Sequence, residues 1–224
     1  MFVIDNICKS YGKKQILKDI SFDIKEGSCI GLLGLNGSGK STLLNILAGC
    51  IRPDSGDFYK SDASGNRITG SDLSSYVSFL PQDNPLIPEL SGMDNIKLWF
   101  PGRRSDIYND YNRELFSKLG VDAFVQKKVS KMSGGMKKRL SLAIAMMSNP
   151  ELLLLDEPLS ALDLLVKSGI LTYLKEYISQ GGSIILATHE TAALDICTDI
   201  FMLKDKQLQP VKERDDYVHT LIDN

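Results

Sequence analysis

Apolar and polar positions change their period several times along the chain, and each change predicts an element. Residues 2–8 and 16–24 alternate enough to be two strands, joined through Lys9-Ser10-Tyr11-Gly12-Lys13-Lys14 as an antiparallel hairpin. Residues 29–33 form an apolar run that reads as a strand, and a helix is predicted to open at Thr42 and run to Ala48. Residues 53–70 are polar and rich in turn formers, with short strand pieces at best, and residues 76–80 give another short strand ending at Pro81-Gln82.

From residue 83 the pattern becomes helical. Ser91-x-x-Asp94 is a capping signature, and Pro101-Gly102 ends the helix it starts. A second helix is predicted from about Asp106 to Leu119, stopping at Gly120. Ser133-Gly134-Gly135 then precedes a helix with Met136, Leu140, Ala143 and Met147 on one face, closed by Asn149-Pro150. Residues 151–156 (ELLLLD) are apolar without alternation, as in a parallel strand covered on both faces. A long helix is expected over about 162–178, followed by a strand over 183–187 and a last one over 201–203. This rhythm implies an α/β fold: a mainly parallel core sheet flanked by helices, an N-terminal antiparallel β subdomain and an inserted helical subdomain. The expected division is a core over 1–82 and 150–210, helices over 83–149, and a short tail over 211–224.

The chemistry follows the 29–33 strand. Gly34-Leu35-Asn36-Gly37-Ser38-Gly39-Lys40-Ser41 matches G-x-x-x-x-G-K-S in full, between a strand and a helix, and reads as a phosphate-binding loop. Gly34, Gly37 and Gly39 are expected to let backbone N–H groups, those of Asn36 and Ser38 included, approach phosphate oxygens that a side chain would block. Lys40 reaches the β- and γ-phosphates, Ser41 offers a hydroxyl to Mg²⁺, and Thr42 opens a helix whose positive end faces the same anion. Ligands of such a sheet sit at the carboxyl ends of its strands, where Gly34, Asp156 and His189 fall. Asp156 ends a strand, the place for a magnesium carboxylate, and adjacent Glu157 is free to reach a water beside the γ-phosphate. Two readings stand for His189, a polar strand-end residue or a catalytic one. For Tyr11 they are a packing ring or a platform for a nucleotide base. His219 reads as a surface residue.

Composition narrows the class. A net charge of −2 with interspersed signs gives no basic stripe, so nucleic acid is not an expected partner. Four scattered cysteines without C-x-x-C spacing read as reduced thiols of a cytosolic protein. No segment approaches the ~18 apolar residues that cross a bilayer, and no signal-peptide core stands at the N-terminus, so the chain is expected to be soluble by itself.

With these motifs in order, the sequence resembles the ATP-binding subunits of ABC transporters, P-loop NTPases, from about Tyr11 to about Leu208. Tyr11 matches the family's adenine-stacking aromatic, residues 34–41 its Walker A loop and Gln82 its Q-loop. Residues 132–136 (MSGGM) look like its signature, 152–157 its Walker B strand with the catalytic glutamate Glu157, Ser160-Ala161-Leu162-Asp163 its D-loop, and His189 its switch histidine.

The resemblance implies an ATPase using ATP and Mg²⁺. Lys40, Gln82, Glu157 and His189 would be catalytic, and Ser41, Gln82 and Asp156 would hold the metal. Nucleotide contacts would come from Tyr11, the loop from Gly34 through Thr42, and Ser133, Gly134, Gly135 and Asp163. The site is composite: the signature of a second copy, or of a paralogous subunit, covers ATP on the first, so two subunits face each other head to tail. The usual signature is LSGGQ. Met136 here removes an amide, and it reads equally as the first core residue of its helix. The translocation path would be a separate integral-membrane permease, placing the subunit at the cytoplasmic face of the cell membrane. Its cytoplasmic loops would be gripped by the helices just after Gln82, where Trp99 and Phe100 read either as an exposed anchor or as core. Export is favoured over import, with an ATPase driving a non-translocating mechanical or regulatory membrane partner as the alternative. Ribosome- or DNA-acting relatives, with two nucleotide domains or a long coiled coil, and small-molecule kinases, which have no use for the signature, fit less well.

Overall fold

Two sheets divide the strands between them. The computed structural model describes residues 1–62, 64–160 and 162–211. In it β1 (Phe2–Tyr11), β2 (Lys14–Ile24), β4 (Ser55–Ser61) and β5 (Arg67–Ile68) form an antiparallel sheet of order β2-β1-β4-β5. The second sheet has the order β10-β9-β3-β8-β7-β6. Its strands β3 (Cys29–Leu33), β6 (Val77–Leu80), β7 (Leu152–Asp156), β8 (Ser183–Ala187) and β9 (Asp199–Lys204) run parallel, and β10 (Gln207–Pro210) pairs antiparallel at the edge. The expected fold class is borne out.

The unbroken apolar runs become strands because both faces of the sheet are covered. Leu152 and Leu154 of β7 join one core with Ile30, Leu32 and Ile185, built against the antiparallel sheet and α1 (Lys40–Leu47). Leu153 and Leu155 point the other way, into a core shared with α3 (Gly92–Trp99), α4 (Asp110–Lys118), α5 (Gly134–Met146) and α6 (Leu164–Ser179). All four leucines are fully buried, and each such side chain contributes about 1.5–3 kcal/mol. The helices between β6 and β7 therefore share one core with the sheet face. Two short helices, α2 (Gly70–Leu73) and α7 (Thr191–Leu194), complete the described elements.

Several boundaries differ from the sequence reading. The hairpin strands run on to Tyr11 and from Lys14, so the expected turn shrinks to Gly12-Lys13 and Tyr11 ends β1. The polar stretch after Pro53 holds a seven-residue strand, β4, stabilised by pairing with β1 and by the Phe2 and Phe58 rings, whose centroids lie 6.1 Å apart. The helix expected from Asp106 is a 3-10 turn, Arg104–Tyr108, and α4 starts only after Asn109, whose side chain accepts from the Asn112 N–H at 2.7 Å. α1 begins at Lys40, two residues early, and α6 at Leu164, two residues late, because Asp163 caps it. The last strand is longer than 201–203 and turns back as β10. Of the expected tail, Val211 is described; the rest, with His219, lies outside the described residues, as does Ala161.

Register then lines up the strand ends. Leu32 of β3 and Asp156 of β7 both stand beside Ala187 of β8, so the residues that follow all three strands emerge on one rim.

Candidate functional site

The loop after β3 has the donors an anion needs. The N–H groups of Asn36, Gly37 and Gly39, and of Lys40, Ser41 and Thr42 in the first turn of α1, donate to no acceptor among the described residues. The Ser38 hydroxyl in the same loop is buried with no hydrogen-bond partner among the described residues. Unsatisfied donors ahead of a helix N-terminus fit phosphate oxygens. Two of the glycines, however, answer to the fold rather than to an incoming anion. A Cβ at Gly34 would lie 2.7 Å from the Leu203 carbonyl oxygen and the Ser38 Oγ, and one at Gly39 would lie 2.8 Å from Ile16. Gly37 has open space around it and is needed for its φ of 77°.

Lys40 is buried and folds onto its own loop, donating to the Gly34 carbonyl at 2.6 Å and the Leu35 carbonyl at 3.2 Å. Burial draws its ammonium down from the usual lysine range, and the charges of Glu157 and Asp156 oppose that shift. Asp156 is buried at the end of β7. Glu157 does not continue the strand. Its φ of 49° is left-handed, a conformation that costs about 1–2 kcal/mol for a residue with a side chain, and its N–H is held by the Ala187 carbonyl at 2.9 Å. The chain leaves its extended course there.

His189 Nε2 lies 3.2 Å from Glu157 Oε1, although that oxygen is buried and takes no well-directed hydrogen bond from the described residues. Burial raises the Glu157 carboxyl, with the Lys40 charge acting against it. His189 is lowered by burial and then by the Lys40 charge, so its imidazole is neutral at pH 7. A buried, under-coordinated carboxylate with a raised value beside a neutral imidazole is suited to taking a proton from water. Ser41 is exposed at the start of α1 and Asp156 stands at the strand end, a hydroxyl and one carboxylate. That sparse oxygen set fits Mg²⁺, which takes few protein ligands beside substrate phosphates.

The remaining candidates are only partly drawn in. Gln82 is exposed after β6, and its carbonyl accepts from buried Lys138 at 3.2 Å. Tyr11 is half exposed, with the Lys9 ammonium 5.6 Å from its ring centroid. Ser133 and Gly134 are exposed at the start of α5, where Ser133 Oγ accepts from the Met136 N–H at 3.3 Å. No hydrogen bond or ion pair joins them to the phosphate loop among the described residues. Their neighbours are instead on the D-loop side, since a Cβ at Gly135 would lie 3.6 Å from Leu162. Asp163 spends its carboxylate on the Val166 N–H at 3.0 Å.

Two features lay beyond sequence reasoning. Lys138 carries no local sign of burial in the sequence but is 3% exposed. Cys29 and Cys197 are free thiols 168 positions apart, yet their Sγ atoms meet at 3.6 Å.

Met136 is half buried and packs against the large core, which supports its reading as the first core residue of α5. Met136→Gln is expected to lower the melting temperature by a few degrees, through about 1 kcal/mol of lost burial, while turnover stays level or rises. A severalfold fall in phosphate release with the fold intact would show that the thioether itself is required.

The family model for "ABC transporter" matches residues 17–160. The chain is 32% identical over 206 residues to the linearmycin resistance ATP-binding protein LnrL of Bacillus subtilis (strain 168), a match covering 89% of this chain and 64% of that protein. It thus spans just under two thirds of that relative's length. It is 31% identical over 210 residues to the probable sulfate/thiosulfate import ATP-binding protein CysA of Chlorella vulgaris, covering 92% of this chain and 88% of that one. A solved dimeric ATP-binding cassette, in a post-hydrolysis state with ADP and Pi, aligns with a TM-score of 0.80 and 27% identity, over 96% of this chain and 99% of that chain.

Proposed function

This chain belongs to the ABC transporter family of ATP-binding proteins, and from that premise we propose that it is the ATP-hydrolysing subunit that powers a separate membrane-spanning partner. One observation carries the reading: β3, β7 and β8 bring a buried lysine, two carboxylates and an imidazole to one rim beside a loop of unsatisfied N–H donors. In this reading residues 1–82 and 150–210 are the nucleotide-binding core and 83–149 the helical subdomain.

Tyr11 stacks on the adenine, and the loop from Gly34 through Thr42 holds the phosphates. Lys40 leaves its loop carbonyls to meet the β- and γ-phosphates. Ser41, Asp156 and Gln82 would hold Mg²⁺, which would supply neutralisation of the charge that develops on the phosphoryl oxygens. Glu157 orients the attacking water and accepts its proton, and His189 holds the γ-phosphate side in place. Ser133, Gly134 and Gly135, with Asp163 nearby, face the γ-phosphate of a second copy or a paralogue in a head-to-tail dimer. The dimeric cassette among the solved relatives supports that arrangement.

No helix among the described residues is long and apolar enough to cross a membrane, in keeping with a membrane part on another chain and a peripheral place at the cytoplasmic face. A cleft of about 900 Å³ between the sheet edge and the helices, lined by Leu80, Leu86, Trp99, Phe100 and Ile144 among others, is suited to hold a loop of that partner. Trp99 is 47% exposed there, whereas Phe100 is half buried against the core, so the pair divides into an anchor and a core residue. Trp99→Ala alone is therefore expected to lose co-purification with the membrane partner and keep its melting temperature within about 2 °C. Retained association would remove Trp99 from the interface. For direction we propose export, with the resistance-protein relative as support and the import relative as its counterweight.

Phosphate release by the purified chain should require both ATP and Mg²⁺, and absence of any such release would overturn the reading. With the partner in vesicles, ATP-driven movement of substrate fixes the direction. Turnover with no movement would leave the mechanical or regulatory alternative.

A further inference from the structure

A lysine ammonium that is almost wholly buried is costly unless anions compensate it. Lys138 is 3% exposed on α5, five residues after Ser133, and makes a single hydrogen bond among the described residues, to the Gln82 carbonyl at 3.2 Å. Burial draws its value down, and the charges of Asp156, Glu157 and Asp83 oppose the shift, so these three carboxylates are the anions it faces. α5 packs against β6, whose end leads to Gln82. One rigid helix thus starts at the surface offered to a second subunit and carries a cation to the back of its own acidic rim.

We propose that Lys138 is a positioning residue for ATP hydrolysis: its buried ammonium fixes the backbone of Gln82, so that the seating of α5 governs the geometry of the magnesium-side groups. The inference rests on the ATPase reading above. Loss of Lys138 leaves the phosphate loop intact but frees the Gln82 segment and removes a buried positive charge that the charges of Asp156, Glu157 and Asp83 favour.

Lys138→Met keeps the length of the side chain and removes its charge and donors. In the full chain it is expected to lower kcat about 10- to 100-fold, as loss of an outer-shell partner typically does, and to raise the Mg²⁺ concentration needed for half-maximal rate, with the ATP KM little changed. In protein without nucleotide, amide exchange over residues 81–86 should be several times faster than in the parent. Lys138→Arg should restore both readouts. A Lys138→Met protein with the parent's kcat, Mg²⁺ requirement and exchange over 81–86 overturns the proposal. If that variant does not fold, Lys138→Gln decides, because it keeps a donor for the Gln82 carbonyl without the charge. Lost rate with retained protection supports the proposal, and parental rate and Mg²⁺ requirement refute it. A parent chain that releases no phosphate sinks the ATPase reading itself, whereas an active parent beside an equally active Lys138→Met sinks this inference alone.

Discussion

Glu157→Gln is expected to bind Mg-ATP as the parent does, to hydrolyse it about 10²–10⁴ times more slowly, and to accumulate as an ATP-bound dimer. The substitution keeps shape and removes the base. Lys40, Ser41 and Asp156 are untouched, so ATP is still held and its γ-phosphate still presented to Ser133 of a second copy. One negative charge beside the triphosphate is gone, which favours closure. The pH dependence sharpens the test. Burial raises the Glu157 carboxyl, and the base works only when ionised, so the parent's rate should fall on acidification at a higher pH than an ordinary glutamate would give. Glu157→Gln should lack that acid limb. Size exclusion with light scattering, with and without Mg-ATP, reads the dimer, and a phosphate assay across pH reads the base. A variant that remains monomeric and fully active would refute both the role of Glu157 and the composite site.

Lys40→Ala should abolish hydrolysis and weaken ATP binding by at least about tenfold. A charge-assisted hydrogen bond contributes ~1.5–3 kcal/mol, and the low end of that range is already a factor of ten in Kd. The structure adds a second consequence. The Lys40 charge is the largest influence holding the Glu157 carboxyl down against burial, so without it the acid should protonate more readily, which cannot be repaired by raising ATP. Calorimetry showing undiminished affinity would contradict the first statement. Turnover recovered at saturating ATP would contradict the second.

What could be read from the sequence was what neighbouring residues decide. The apolar run at Leu152–Asp156 needed no partner to be recognised, and Ser91 caps its helix as its spacing with Asp94 predicts. The carboxyl-end placement of Gly34, Asp156 and His189 followed from strand-helix rhythm. β4 read as short strand pieces at best because its polar sequence is a full strand only against β1, some fifty residues away in the chain. α4 was started too early because Asp106 and Asn109 are both capping residues, and only packing chose between them. At Glu157 the left-handed turn that ends β7 has no signature in the neighbouring residues, since nothing local marks a glutamate for a φ of 49°. Lys138 next to Lys137 carries no local sign that one is buried and the other is not. The conformational reason for Gly34 and Gly39 lies in β9 and β2, so the motif marked the right residues for an incomplete reason.

The position of β3 bears on how the protein comes into being. It is an interior strand of the parallel sheet, and both its neighbours, β8 and β9, come from residues made roughly 150 to 170 positions later. At translation rates of about 5–20 residues per second, the newborn β3 waits on the order of ten to thirty seconds with both edges unpaired. The antiparallel β1, β2 and β4 are complete by residue 61 and can assemble in that interval. The glycine-rich loop cannot, because Leu203, against which Gly34 is pressed, has yet to be made. The segment proposed to grip nucleotide is thus synthesised early and shaped last, and a nascent chain stalled before β9 would bring to the ribosome exit an apolar strand without its finished loop.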